Sequence, residues 1–421
     1  MLSVLGCAAV AWTPLTPPLC APVRGRAVVC ADAGPDPEEW RAFRAKLISG
    51  GLKVTGDEGG ETEAAPVAKA ASVAPKNEEL LKEQNEELYR EYFGGAWAHE
   101  SPGPEAGGLV CRLPLQVQMT RLMREQPGDC WGDLMRAKLQ AELPKTDIIA
   151  DGADANAAEA EAEAERLLTQ WSSNTVYTYR MAEGLIKECL GAVASMATDG
   201  RISIDKVTAE QRELLTLYAS AQDSWQEVCL VLEGDSVGRV ASKAVTINRP
   251  LAKSMNRQLA ELLLNGGRPA SIPAYNAAFI DRFMEAFGDE AAVYLGGPDS
   301  QESAGMCIHG FDLAGAEELA PGTRIFVGGV EAAVDAVLAG TRRPLDFRFF
   351  IGQRADVSTR DGAWGAIACA RPVALKQCLG LPKPLWHEVL ELCGGEMGEI
   401  SKIEILKRPD IEPGSDQSRQ D

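Results

Sequence analysis

The sequence predicts an α+β protein carrying a helical insertion. Beyond position 224, short apolar runs mix with amphipathic stretches without the strict alternation of a doubly wound sheet. Between 116 and 222, Leu, Met, Ala and Glu dominate and helical periodicity recurs, a composition of helices without strands. The chain of 421 residues, 45% hydrophobic and 24% charged, is long enough for one large or two ordinary domains with a substantial core.

The elements follow in order. Residues 2–12 are apolar but shorter than the roughly 20 residues a membrane-spanning helix needs. A Pro-rich stretch with Arg24 and Arg26 comes next, and no acidic residue precedes Asp32. An apolar signal followed by a basic, acid-free segment resembles the two-part presequence of algae whose plastids lie behind extra membranes. Residues 1–31 are therefore expected to direct the chain to the plastid (chloroplast stroma), with processing near Val29-Cys30-Ala31; plain secretion or a mitochondrial address each explains one half only. Residues 32–76, rich in Gly, Ala, Glu and Pro, read as a largely disordered linker. The next segment, 77–115, holds an amphipathic helix over 77–93 with Leu81, Leu88 and Tyr92 on one side, then a first strand over 107–114.

The helical insertion spans 116–222. Its Ala and Glu alternation over 153–166 fits either a solvated helix or an acidic connector. Thr208 with Gln211 predicts a capping box opening a helix through Tyr218. In the α+β domain, 223–408, strands are predicted at 227–233, 243–248, 291–295, 306–309, 323–327 and 346–351. Pro273 should open a helix with Phe279, Phe283 and Phe287 on one face and Gly288 as its stop. Gly328-Gly329 leads into a helix to Leu338, and 385–393 is a helix capped by Gly394. The polar tail 409–421 reads as disordered.

Charge narrows the function. The formal net charge is −19, and removal of the presequence leaves 40 basic against 61 acidic residues, a surface that repels phosphate backbones. No Lys/Arg run breaks this pattern, which argues against a nucleic-acid partner. The eleven cysteines form no CxxC pair and no zinc-ligand spacing occurs, so no metal site is expected. Cys111, Cys189, Cys229, Cys307 and Cys369 read as buried free thiols of a reducing compartment. Neither a Walker loop nor a GxGxxG fingerprint is present, so no cofactor is expected. No segment after the N-terminal stretch is long and apolar enough to span a membrane.

Several pieces recur in a recognisable order: Ala244-Val245-Thr246-Ile247-Asn248-Arg249-Pro250-Leu251, Tyr294-Leu295-Gly296-Gly297-Pro298, Ile308-His309-Gly310, the stretch 324–329, and Asp346-Phe347-Arg348-Phe349-Phe350-Ile351-Gly352. In that order and spacing the set resembles the AlgH family, small α+β proteins of bacteria and plastids. The resemblance covers about 224–352, with weaker similarity at 107–114 and onward to about 402. It implies a mixed sheet flanked by helices, with the insertion between the first and second strands, and a regulatory role by name rather than a reaction. The chain departs from the pattern after Gly352, where Gln353-Arg354-Ala355-Asp356 replaces the usual Gly-Tyr continuation and Trp364 arrives late.

The candidate ligand-binding residues are Asn248, Arg249, Gly296, Gly297, His309, Gly328, Gly329 and Arg348. His309 ends an apolar strand, where a satisfied structural histidine competes with a base or ligand. Arg249 and Arg348 suit a carboxylate or phosphate, yet such arginines more often pair with an acidic neighbour. Gly328-Gly329 before a helix suits an anion or simply a tight turn. Gly234-Asp235-Ser236-Val237-Gly238 matches GxSxG, yet a second strand follows where a nucleophile elbow needs a helix, so a hairpin turn is expected. His387 lacks the second His of HExxH, and Asp199-Gly200-Arg201 lacks the flanking carboxylates of an EF-hand loop. No catalytic residue is assigned. The expected role is a non-catalytic binding or regulatory module whose protein partner meets the insertion. The rivals are an enzyme acting on a small anion through Arg249, Arg348 and His309, or through Ser236, and a transcriptional regulator.

Overall fold

A computed structural model describes residues 86–125, 130–142, 156–197, 203–235, 240–267, 274–379 and 384–407. All lie in the unit Val67–Asp421. The expected presequence, linker and tail fall outside the described residues, as do Ser236, Pro273 and residues 199–201.

The first elements are helix α1 (Glu86–Gly95) and strands β1 (Ala98–Glu100) and β2 (Leu109–Arg112). Next come α2 (Leu115–Glu125), α3 (Cys130–Glu142), α4 (Asn156–Ser172), α5 (Thr175–Ser195) and α6 (Ala209–Asp223). This helical stretch therefore follows the second strand, not the first, because β1 is too short and polar to stand out in the sequence. The Ala and Glu alternation resolves as helix. The helices share a core of their own: Met119 and Met123 of α2, Trp131, Met135 and Leu139 of α3, and Leu185, Ile186 and Leu214 from α5 and α6. Four-residue spacings put these side chains on one face, and burying each contributes about 1.5–3 kcal/mol. The capping box forms as predicted: Gln211 N donates to Thr208 Oγ1 at 3.2 Å, and Thr208 N donates to Gln211 Oε1 at 3.0 Å.

The rest of the chain runs β3 (Val228–Asp235), β4 (Val240–Thr246), β5 (Pro250–Ala252), α7 (Arg257–Asn265), α8 (Ala277–Phe287), β6 (Ala292–Leu295), β7 (Met306–His309), β8 (Ala316–Glu318) and β9 (Phe326–Gly328). It ends with α9 (Val330–Leu338), β10 (Arg348–Ile351), β11 (Arg354–Ser358), β12 (Trp364–Cys369), α10 (Arg371–Ala374), α11 (Leu385–Cys393) and α12 (Gly395–Leu406). The α+β class holds, but the expected single mixed sheet is two six-stranded sheets. One, ordered β1-β12-β2-β3-β4-β11, is antiparallel throughout. The other, ordered β5-β6-β10-β7-β9-β8, is mixed, with β6 and β10 parallel. The chain changes sheet between β4 and β5 and again between β10 and β11, a step that hydrophobic periodicity does not reveal.

The main core lies between the sheets. Leu109, Leu230 and Val245 of the first sheet and Tyr294, Ile308 and Phe350 of the second join Trp386, Val389 and Ile400 of the C-terminal helices. The opposite face of the second sheet carries α7, α8 and α9. Phe283 and Phe287 of α8 meet Phe349 edge-on at 5.3 and 4.9 Å, while Phe279 is only half buried. Asn276, accepting from Phe279 N at 2.9 Å, opens this helix in place of the predicted Pro273.

Candidate functional site

Most of the sequence motif is spent on the seam where the sheets exchange chain. Asn248 stands at the corner between β4 and β5, accepting from Val228 N at 3.0 Å and donating to Gln226 O at 2.8 Å. Arg249, exposed, donates to Trp225 O at 2.5 Å. Gly296 bonds both ways across the seam, its carbonyl accepting from Thr246 N at 2.8 Å and its N–H donating to Ile351 O at 2.7 Å. A Cβ at Gly296 would stand 2.3 Å from Gly352 O, one at Gly297 would stand 2.2 Å from Gln353 O, and one at Gly352 would stand 2.5 Å from Gly297 O. Three backbones pass too closely there for side chains. The Asn-Arg-Pro corner, the Gly-Gly-Pro turn and the Gly after Phe-Arg-Phe-Phe-Ile are thus one junction.

His309 and Arg348 do not meet. His309 shares a face of the second sheet with Cys307, toward α7–α9, whereas Arg348, paired with Ile308, faces the main core. His309 is 1% exposed: Nδ1 accepts from Phe311 N at 3.3 Å and Nε2 donates to Gly328 O at 3.1 Å, which fixes a neutral ring. Burial lowers its pKa. Arg348, also 1% exposed, donates to Ala374 O at 3.1 Å and Lys376 O at 3.4 Å, and burial lowers its pKa as well. Its positive charge sits against the carbonyl end of α10. Gly329 donates its N–H to Gly315 O at 2.9 Å, so the Gly328-Gly329 turn closes on the chain itself. The eight residues build architecture: Asn248, Arg249, Gly296 and Gly297 meet at the seam, while His309, Arg348 and the Gly328-Gly329 turn lie elsewhere.

A polar cluster that the sequence did not suggest lies on the first sheet. Glu227 takes a two-pronged bond from Arg354 at 3.1 and 2.7 Å and a further bond from the Thr246 hydroxyl. The guanidiniums of Arg354 and Arg112 lie 5.5 and 5.4 Å from the ring centre of Trp364. Glu227 sits at the head of β3 and Arg354 at the head of β11, separated in sequence by most of the second sheet, so no linear motif joins them. Cys229, next to this cluster, is fully buried, and burial pushes its thiol pKa well up. Cys111 and Cys307 behave alike, and the described cysteines are free. Among the described residues, no group of three or more His, Cys, Asp or Glu is arranged to hold a metal ion, and no helix is long and apolar enough to cross a membrane.

Two clefts adjoin these elements. One, of about 310 Å³, opens where the insertion meets the sheets, between Glu183 and Ile186 of α5 and Arg112, Gln226 and Trp386. Tyr218 and Trp225 on its lining are 39% and 37% exposed. Gln226 there has φ +52, a left-handed backbone for a non-glycine residue. Tyr179 donates to Glu404, and Lys407 Nζ reaches Tyr179 Oη at 2.7 Å, pinning α5 to α12 beside the cleft. The other cleft, of about 660 Å³, is bounded by α1, the approach to β2, the turn before β9 and the junction of β12 with α10.

A comparison with family models matches residues 219–398 to the family described as AlgH-like. The match begins in α6 and takes in all strands from β3 to β12, leaving outside it β1, β2 and nearly all of the helical stretch after β2. A comparison with curated proteins gives no match.

Proposed function

We propose, from the match of residues 219–398 to the AlgH-like family, that the chain is an AlgH-like protein acting as a non-catalytic binding or regulatory module of the plastid stroma, whose protein partner docks on the helical insertion. One observation carries the reading. The polar residues of the family motif bond to their own backbone, while the helices outside the matched segment complete a 310 Å³ cleft lined by the exposed aromatics Tyr218 and Trp225. Large amphipathic aromatics are enriched among the few side chains that anchor protein interfaces, whose truncation costs about 2 kcal/mol or more. The insertion has its own core, so it presents that surface rigidly. The plastid address rests on the apolar, then basic and acid-free order of residues 1–31.

Crosslinking with mass spectrometry on isolated plastids tests partner and compartment together. The expected crosslinks map to 116–222, and the double substitution Tyr218→Ala with Trp225→Ala removes them. A protein recovered outside plastids, or crosslinks that survive both this variant and deletion of 116–222, would end this reading.

A further inference from the structure

The charged groups that line the 310 Å³ cleft are already engaged. Lys407 Nζ lies 3.0 Å from Glu404 Oε1 and 3.7 Å from Glu183 Oε1, and Lys187 Nζ lies 3.3 Å from Glu183 Oε1. Arg112 turns its guanidinium to the Trp364 ring and to Ser220 Oγ at 3.4 Å. Two neutral groups on the lining differ: among the described residues, none donates to the amide oxygen of Gln226 and none bonds the Tyr218 hydroxyl. Gln226 is 7% exposed and is held from both ends. Asn248 Nδ2 donates to its carbonyl at 2.8 Å, and Arg249 Nη2 donates to the carbonyl of Trp225 before it at 2.5 Å. Its amide nitrogen donates to His387 Nε2 at 3.1 Å, and His387 Nδ1 donates to Ser401 Oγ at 3.0 Å, so ring and amide fix each other. The left-handed backbone of Gln226, at φ +52, persists only where its surroundings over-determine it. With the nitrogen turned to His387, the amide oxygen is left to the cleft.

We propose that this oxygen is the recognition element of the cleft and that its ligand is an uncharged, extended peptide segment. One backbone N–H of the segment donates to Gln226 Oε1, one carbonyl accepts from the Tyr218 hydroxyl, and an apolar side chain lies against Tyr218 and Trp225. The proposal rests on the docking reading above and gives the partner its chemistry. An extended backbone offers a donor and an acceptor at every residue other than proline. A segment without charge is the complement of a lining whose lysines and carboxylates pair with one another. Gln226 and Tyr218 touch the ligand; Asn248, Arg249 and His387 are positioning residues, which gives the Asn-Arg corner of the family motif a task beyond the seam.

The test is a nuclear magnetic resonance titration of the full chain with acetyl-alanyl-leucyl-alanine amide and with its ester analogue, in which oxygen replaces the leucine N–H. The amide is expected to bind about tenfold more tightly, because the ester leaves a buried acceptor without its donor. Gln226→Leu, of similar size, should bring the two ligands to equal affinity. Tyr218→Phe removes a hydroxyl that has no partner in the folded chain, so it should weaken amide binding severalfold and leave the melting temperature unchanged. Equal binding of amide and ester to the parent overturns the proposal, as does a preference that survives Gln226→Leu or a failure of the amide to bind. Tighter binding of the same peptide with glutamate or lysine in place of its alanines would give the cleft to a charged ligand and overturn it too. If Gln226→Leu does not fold, Tyr218→Phe decides: unchanged amide affinity rules the site out. The titration uses neither partner nor plastid. Amide preference without crosslinks on 116–222 would remove the docking reading and leave the peptide site, and crosslinks without amide preference would do the reverse.

Discussion

Substituting Ala for Gly352 tests the seam most directly. Gly352 has φ +73, and a Cβ there would stand 2.5 Å from Gly297 O and 3.0 Å from Asp299 O, against an ordinary contact of 3.4–4 Å. Two costs combine. A left-handed backbone at a residue with a Cβ costs about 1–2 kcal/mol, and forcing a methyl into a closed gap costs about 1–3 kcal/mol, so Gly352→Ala should lose about 2–5 kcal/mol. Gly340 supplies the control, with φ +68 and nothing within 4 Å of its Cβ position, so Gly340→Ala should show the backbone cost alone. Urea unfolding of the parent and both variants, followed by tryptophan fluorescence, measures the difference as a shift in midpoint at constant slope. The close approach predicts that Gly352→Ala loses about 1–3 kcal/mol more than Gly340→Ala. Equal losses would mean that the backbones at the seam separate without cost, and the account of the motif as a junction would fail.

Other expectations follow from the buried polar groups. Arg354→Met leaves Glu227 charged and without its two-pronged partner, and unfolding measurements should show a loss of about 3–5 kcal/mol; Glu227→Gln in the same chain should restore part of it. His309 is buried neutral with its pKa below 6.5, so the unfolded chain takes up its proton first as pH falls. Its contribution is complete above about pH 6.5 and lost as pH drops through the lowered value; His309→Gln should flatten that part of the stability profile between pH 7.5 and 5.5. Thr208→Ala removes one half of a capping box and should cost about 1 kcal/mol, read as an earlier thermal transition in helical circular dichroism.

How far the sequence could be read varied by element. The strand at Met306–His309, the helix over Leu385–Cys393 with its Gly394 cap and the Thr208 capping box were legible because periodicity and punctuation agree there. Strands β1, β5 and β8 have three residues each, too few for alternation to show. Helix α12 buries Met397, Ile400, Ser401, Ile403 and Glu404 together, so no apolar stripe marks it. Helix α7 did carry a signal that went unread, Asn256 ahead of a leucine-rich run with Gly266 after it. For the site, the motif residues drew attention because they recur in a fixed pattern, but that pattern serves the seam. At the smaller cleft, Tyr218 lies in α6 and Gln226 between α6 and β3, whereas Asn248 follows β4 and His387 arrives from a helix far downstream. Only tertiary register brings these four together.

The order of strands in the first sheet sets a timetable for folding. Trp364–Cys369 lies between Ala98–Glu100 and Leu109–Arg112, so the first two strands among the described residues hydrogen-bond to the last. At about 5–20 residues per second, a ribosome leaves that edge open for some tens of seconds after it emerges. The helices after β2 can gather around their own core in that interval, and β2, β3 and β4 can pair with one another, but β1 must wait for β12. A chain cut short just before Trp364 would lose the strand that joins β1 to β2, leaving β1 without its pairing partner and β2 with an open edge.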